Sequence, residues 1–259
     1  MIKLKNSEIF YFDVDGTLLD NKTHTFPQST LDALNSLKQR GYKIALCTGR
    51  SLLGAHEVGV VDMLDWDGYV LANGSLVLDR DLNVINEVIM DPQWVRELIA
   101  LNDGPLMLEG DEIFISSQPN QKMIDSFAHF NVPEMYPVKT YNDEKIFNIL
   151  SYDFDTIPES LRETLFAESI IVGDQLGNRE IMSIHSGKHN GVKVLNNHLG
   201  VQRFAGFGDG ENDVTFLQSA DFSVAMGNGC DGVKEVATFT TKTVLEDGIA
   251  HALKHFGVL

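Results

Sequence analysis

Cysteine is nearly absent: Cys47 and Cys230 are the only two in 259 residues. Two isolated thiols give neither a disulfide framework nor a zinc-ligand spacing, which points to a reducing, cytoplasmic setting. Long apolar runs are missing as well. No stretch approaches the roughly 18 residues of a membrane span, and Met1-Ile2-Lys3-Leu4-Lys5-Asn6 does not lead into a signal-like segment. Positive charge is scarce, with 20 Lys and Arg against 37 Asp and Glu and a formal net charge of −17. Without a Lys/Arg cluster to offset that charge, a nucleic acid or an anionic membrane is a poor partner. A small anionic substrate stays open, because a bound metal and a few cations can reverse the field inside a cleft. Internal repeats and low-complexity tracts are lacking too. What remains is a globular composition long enough to bury one large core or two modest ones, with a monomer as the expected state.

Against that background the informative feature is Asp13-Val14-Asp15-Gly16-Thr17-Leu18, directly after the apolar run Ile9-Phe10-Tyr11-Phe12. A short buried strand thus places two carboxylates where it leaves the core. Gly16 lets the chain turn sharply, so that Asp15 sits on the bend close to Asp13. Crowded carboxylates repel, and the arrangement is stable with a cation or a shared proton. The pattern suggests Mg²⁺ chemistry in which one carboxylate attacks while its neighbour moves protons.

Strand and helix patterns alternate through the first 75 residues: a strand at 8–13, a helix from Pro27 to Arg40 ended by Gly41, and strands Tyr42–Cys47 and Tyr69–Ala72. Such alternation predicts a parallel sheet, with ligands at the carboxyl ends of its strands, where Asp13, Thr48 and Asn73 lie. From about Ser75 to Ile184 the texture changes to a hairpin signal at 78–83, helices at 91–101, 120–130 and 158–167, and short strands at 113–116, 145–151, 169–172 and 180–184. Asp91 caps the first of these helices, with Pro92 at its first position. Alternation returns with a helix at 190–199, the strand Arg203–Phe207, a helix at 214–219, a strand at 222–226 and a helix at 246–256. The fold class expected is α/β: a Rossmann-like parallel-sheet core formed by 1–79 and 185–259, with a smaller α+β unit inserted at 80–184.

Four polar clusters then stand at strand ends or helix starts: Asp13/Asp15, Thr48-Gly49-Arg50, Lys188 within Gly187-Lys188-His189-Asn190-Gly191, and Gly208-Asp209-Gly210-Glu211-Asn212-Asp213. In these four motifs, in this order, the chain resembles the haloacid dehalogenase superfamily, and within it the Cof-type phosphatases with an inserted C2-type cap. Ala225-Met226-Gly227-Asn228 and Glu246-Asp247-Gly248 share the Cof-like character. The resemblance implies a phosphatase acting on a small phosphorylated metabolite, sugar phosphates being common, through an aspartyl phosphate. It implies that Asp13 is the nucleophile and Asp15 the acid and base. It also implies that Mg²⁺ is held by Asp13, the Asp15 carbonyl and Asp209, with Asp213 supporting through water. Thr48, Gly49, Lys188 and Asn212 would bind or frame the phosphate. Asp15 points away from dehalogenation and ion pumping, where the resemblance places other residues.

Arg50 is expected to touch substrate phosphate, with pairing to a carboxylate as the alternative, and Asn73 to lie near the cleft. Cys47 reads as packing, and His251 and His255 as a solvated face. The residues at 80–184 would cover the site and supply specificity; Asp111, Glu112, Lys122 and Tyr141 are candidates there. Two other functions fit the same core: a phosphomutase that returns the phosphoryl group to a bound sugar, and a non-catalytic regulator that keeps a phosphometabolite pocket.

Overall fold

The structure is a computed structural model that describes residues 3–129, 132, 134–173 and 176–259. Ile9–Phe12 (β1) is buried on both faces, as an all-apolar run in a covered parallel sheet must be. It is followed by Gln28–Gln39 (α1), Lys43–Cys47 (β2), Leu52–Glu57 (α2), Gly68–Leu71 (β3), Leu76–Asp79 (β4) and Val84–Glu87 (β5). Next come Pro92–Leu101 (α3), Leu106–Gly110 (β6), Ile113–Ile115 (β7), Gln121–His129 (α4), Ile146–Ser151 (β8), Glu159–Leu165 (α5), Ser169–Gly173 (β9) and Arg179–Ser183 (β10). The chain ends with Lys188–Leu199 (α6), Phe204–Gly208 (β11), Val214–Ser219 (α7), Phe222–Ala225 (β12), Asp231–Val236 (α8), Phe239–Thr240 (β13) and Gly248–His255 (α9). The predicted helix ending at Phe130 runs past His129 into a position outside the described residues.

Two sheets result. One has eight strands in the order β13-β12-β11-β1-β2-β3-β4-β5, parallel except for the antiparallel pairs β3/β4 and β4/β5. The other has five antiparallel strands in the order β7-β6-β8-β10-β9. Alternation along β1 sends Phe10 and Phe12 into one apolar layer, with Leu34 and Leu37 of α1 and Ile249 and Leu253 of α9. Ile9 and Tyr11 face the other layer, with Val192 and Leu195 of α6, Phe216 and Leu217 of α7 and Val233 of α8. The large sheet is therefore covered on both sides, and the polar ends of its strands are where its chemistry can gather. Among the described residues no helix is long and apolar enough to cross a membrane.

A boundary at residue 80 would cut the turn of the β4/β5 hairpin, which belongs entirely to the eight-stranded sheet. The chain passes to the second sheet at Val88–Met90, where Val88 N–H donates to Ser75 O and Met90 N–H to Ile146 O. Hairpin periodicity shows that two strands pair but not which sheet they extend, so sequence alone places the crossing too early. The Asp91 cap does form: its carboxylate accepts from the N–H groups of Gln93 and Trp94 at 2.7 and 3.1 Å. Helix α6 begins at Lys188, two residues earlier than its apolar pattern suggests. Gly187, at φ 109°, makes the turn that puts Lys188 in the first helical position.

Candidate active site

Asp13 follows β1 and is only 5% exposed. Its Oδ1 accepts from Lys188 Nζ at 2.7 Å, and the same ammonium donates to Asp213 Oδ1 at 2.6 Å. The remaining oxygen of Asp213 accepts from the N–H groups of Asp209 and Gly210, each at 3.0 Å, which folds the loop after β11 back on itself. Asp209 is anchored by Thr17 Oγ1 at 3.3 Å. Gly16 lies so close that an added Cβ would sit 2.1 Å from Asp209 Oδ2, and its φ of 78° also favours glycine.

Oxygens of Asp13, Asp209 and Asp213 all lie within 4.8 Å of one another. Burial pushes the Asp13 carboxyl well above its usual range; Lys188 opposes this, while Asp213 and Asp209 add to it. Burial, then Asp213, raises Asp209 to about 7. For Lys188 burial works against the charge, yet Asp13 and Asp213 outweigh it and the ammonium is held more tightly than usual. The crowded carboxylates of Asp13 and Asp209, backed by Asp213, which holds the buried ammonium, make a hard, all-oxygen site that suits a divalent cation of the magnesium type.

Arg50 grips Asp15 with both prongs of its fork, Nε to Oδ2 at 2.7 Å and Nη2 to Oδ1 at 2.6 Å, while Nη1 donates to Gly54 O at 3.1 Å. Of the two expectations for Arg50, the structure shows the carboxylate pairing. Thr48, 1% exposed at the end of β2, accepts from Arg50 N–H at 3.2 Å, which leaves its own hydroxyl proton to give. Asn73 takes the left-handed conformation at φ 51°, and its Oδ1 accepts from Asn212 Nδ2 at 3.0 Å. Its buried Nδ2 has no hydrogen-bond partner, and a Cβ on Gly49 would lie 3.3 Å from it. Thus Asp13, Asp15, Thr48, Gly49, Arg50, Asn73, Lys188, Asp209, Asn212 and Asp213 gather at one edge of the sheet. Asn228, at the end of the segment Ala225-Met226-Gly227-Asn228, joins them by donating to Gly16 O at 2.7 Å.

The second sheet lends residues that the sequence reading passed over. Glu109 on β6 and Asn148 on β8 are cross-strand partners. Asn148 Nδ2 donates to Glu109 Oε2 and to Glu180 Oε1 of β10, each at 2.8 Å. Glu180 Oε1 would be 3.4 Å from a Cβ on Gly49, so this cluster lies directly against the turn after β2. The available signal was polarity inside apolar strands: Leu106-Met107-Leu108-Glu109 and Ile146-Phe147-Asn148-Ile149. The candidates named from sequence are engaged elsewhere. Glu112 pairs with Lys139, Lys122 with Asp153 at 2.8 Å, and Tyr141 lies beside Arg96 and Ile99; Asp111 is exposed. His251 and His255 stack on the Phe239 ring, with His255 exposed and His251 half-buried.

Burial raises the Glu109 carboxyl from its ordinary value near 4.5 to about 7, against the Asn148 hydrogen bond and with help from Glu180. The folded state therefore holds this proton more tightly than the unfolded chain. Between about pH 4.5 and about pH 7 stability falls as pH rises, because the unfolded chain gains more by ionising. Glu109→Gln should remove a penalty on the order of a few kcal/mol at pH 8 and change little at pH 4. Thermal melts of both proteins across that window check this; parallel curves would refute it.

A family model for haloacid dehalogenase-like hydrolases matches residues 10–253. YxeH of Bacillus subtilis (strain 168), whose phosphatase name is provisional, is 29% identical over 95% of this chain and 97% of its own. The 5-amino-6-(5-phospho-D-ribitylamino)uracil phosphatase YwtE of the same organism is 26% identical over 92% and 94%. The structure of the subclass IIB sugar phosphatase BT4131 superposes with a TM-score of 0.84 at 25% identity, covering 98% of this chain and all of that one. With the family model spanning nearly the whole sequence and the acidic cluster in place, the chain belongs to the haloacid dehalogenase-like hydrolases, as a phosphatase of that family.

Proposed function

We propose that this phosphatase is Mg²⁺-dependent, works through an aspartyl phosphate on Asp13, and acts on a small phosphorylated metabolite, above all a sugar phosphate. The observation that carries the reading is the Asp13 carboxylate, buried at a strand end, held by Lys188 and within 4.8 Å of Asp209 and Asp213. Such a group is immobile, desolvated and aimed by a fixed cation, as an in-line nucleophile requires. The sugar phosphatase activity of BT4131 and the phosphoester chemistry of YwtE support the substrate class.

In this reading an Asp13 oxygen attacks phosphorus and the P–O bond to the leaving group breaks. Asp15 gives the departing alkoxide its proton, then takes one from the water that hydrolyses the acyl phosphate. Because Arg50 occupies both Asp15 oxygens, at least one must be released for that transfer. Thr48 donates its hydroxyl proton to a phosphoryl oxygen, the unpartnered Nδ2 of Asn73 donates beside Gly49, and Lys188 supplies fixed charge. Asp213 has both oxygens spent on Lys188 and the backbone, so its part is to hold Lys188 and the 209–213 loop. Asp13, Asp209 and the Asp15 carbonyl would hold Mg²⁺, which when bound supplies charge neutralisation at the phosphoryl oxygens. Residues 88–184 act as a cap that excludes water and selects the leaving group.

Phosphate release across a panel of phosphorylated metabolites tests this. EDTA should abolish release and Mg²⁺ restore it, with sugar phosphates leading. Metal-independent release would overturn the magnesium assignment. Isomerisation activated by a bisphosphate, with little free phosphate, would replace the hydrolase reading by the mutase.

A further inference from the structure

One polar cluster takes no part in the steps above: Glu109, Asn148 and Glu180 on the second sheet. Cross-strand pairing sets Glu109 opposite Asn148 and Glu180 opposite Leu150, so strand alternation puts all three side chains on one face. The opposite face is closed by α3 and α5, through Val95, Leu98, Leu108, Ile149 and Ile181. Part of the shared face is covered by α4, through Met107, Leu150, Met123 and Phe127. The polar part is turned to the catalytic edge: Glu180 Oε1 lies 3.4 Å from where a Cβ on Gly49 would stand. Tyr136 donating to Glu57 Oε2 at 2.8 Å ties the two units together nearby.

The chemistry of this cluster is one-sided. Both N–H bonds of Asn148 are spent on the two carboxylates. Its Oδ1 is fully buried without a hydrogen-bond partner. Glu180, and Glu109 once it ionises above about pH 7, offer acceptor positions and no donors. A ligand that enters here therefore meets acceptors, beside an Arg50 guanidinium whose charge is already engaged by Asp15.

Resting on the phosphatase reading above, we propose that Glu109, Asn148 and Glu180 form the leaving-group recognition patch, and that it selects a sugar or polyol monophosphate over an ester carrying a second anion. Hydroxyl groups on the leaving group satisfy desolvated acceptors, including the Asn148 oxygen, whose isolation is otherwise a cost. A second phosphate or carboxylate in the same place would meet like charge in a poorly solvated setting, so selection works by repulsion as well as by attraction. These are specificity-determining residues, placed to bind the part of the substrate that does not react. The predicted selectivity also runs against a bisphosphate-activated mutase on this core.

Steady-state kinetics on a hexose 6-phosphate, the matching hexose 1,6-bisphosphate and p-nitrophenyl phosphate test the patch. The proteins compared are wild type, Glu109→Gln and Glu180→Gln, each with a thermal melt. Wild type should favour the hexose monophosphate over both other esters. Each variant should raise KM for that ester about tenfold, the scale of one hydrogen bond to a charged group, with kcat changing less. The preference over the bisphosphate should narrow in parallel. Equal losses on all three esters, or an unchanged KM, would overturn the patch. So would a wild type that turns over p-nitrophenyl phosphate yet does not favour the monophosphate, and in that case the phosphatase reading stands. Release from none of the three would instead remove the phosphatase reading, and the patch with it.

Discussion

Asp13→Asn is expected to lower phosphate release by roughly four orders of magnitude or more while the protein stays folded, as loss of a covalent nucleophile does elsewhere. Asparagine matches the neutral acid in shape, so the packing around residue 13 is kept. The charge balance also favours folding. In the wild type Lys188 serves two buried carboxylates, Asp13 and Asp213. In the variant Lys188 and Asp213 remain a one-to-one pair at 2.6 Å. Burial already pushes Asp13 toward its protonated form, and near neutral pH that form is the unfavoured one in water. The variant should accordingly melt at or above the wild-type temperature in EDTA at pH 7.5. Acid-quenched wild type taken during turnover should carry phosphate covalently on Asp13, and the variant none. Wild-type turnover by a clean preparation of the variant would remove Asp13 from the nucleophilic role.

The catalytic edge is legible in the sequence because each of its groups sits where a strong local pattern breaks. Asp13 ends an apolar strand, Thr48 ends another, and Asp209 follows the glycine-bearing strand Phe204–Gly208. Parallel strands all deliver their carboxyl ends to one side, so reading each strand's end amounts to reading the site. The second sheet lacks that property. Its strands are antiparallel, and a residue such as Glu109 reaches the catalytic edge from mid-strand through pairings between β6, β8 and β10 that no local pattern specifies. Exposed polar residues, among them Glu112 and Lys122, attract notice in the sequence, yet their charges are met by Lys139 and Asp153. The small elements α2, α8 and β13 escape for another reason. Two turns of helix or two residues of strand carry too few positions for a period to show. Asn228 reaches Gly16 across 212 positions of sequence, and only the fold brings the two together.

Lys188→Met is expected to cost roughly 3–5 kcal/mol of stability in the metal-free protein, the scale for stripping one partner from a buried ion pair. The side chain is wholly buried and its ammonium touches Asp13 and Asp213, so methionine fills the space and leaves two desolvated carboxylates facing each other. Activity should vanish together with stability, and activity alone would not separate charge from architecture. The double variant Lys188→Met/Asp13→Asn does separate them. Removing one of the stranded carboxylates should return part of the lost stability, a non-additivity expected of residues in direct contact, while turnover stays absent. Chemical denaturation in EDTA reads the cycle for wild type, both single variants and the double. If Lys188→Met unfolds with the wild-type midpoint, the ammonium is not what holds Asp13 and Asp213 together. If the double variant is no more stable than Lys188→Met, the cost lies in packing at the start of α6 and not in unpaired charge. Recovery in the double variant would instead show that the buried lysine holds the nucleophile in place as well as facing the phosphate, so that the strand end and the helix start form one electrostatic unit.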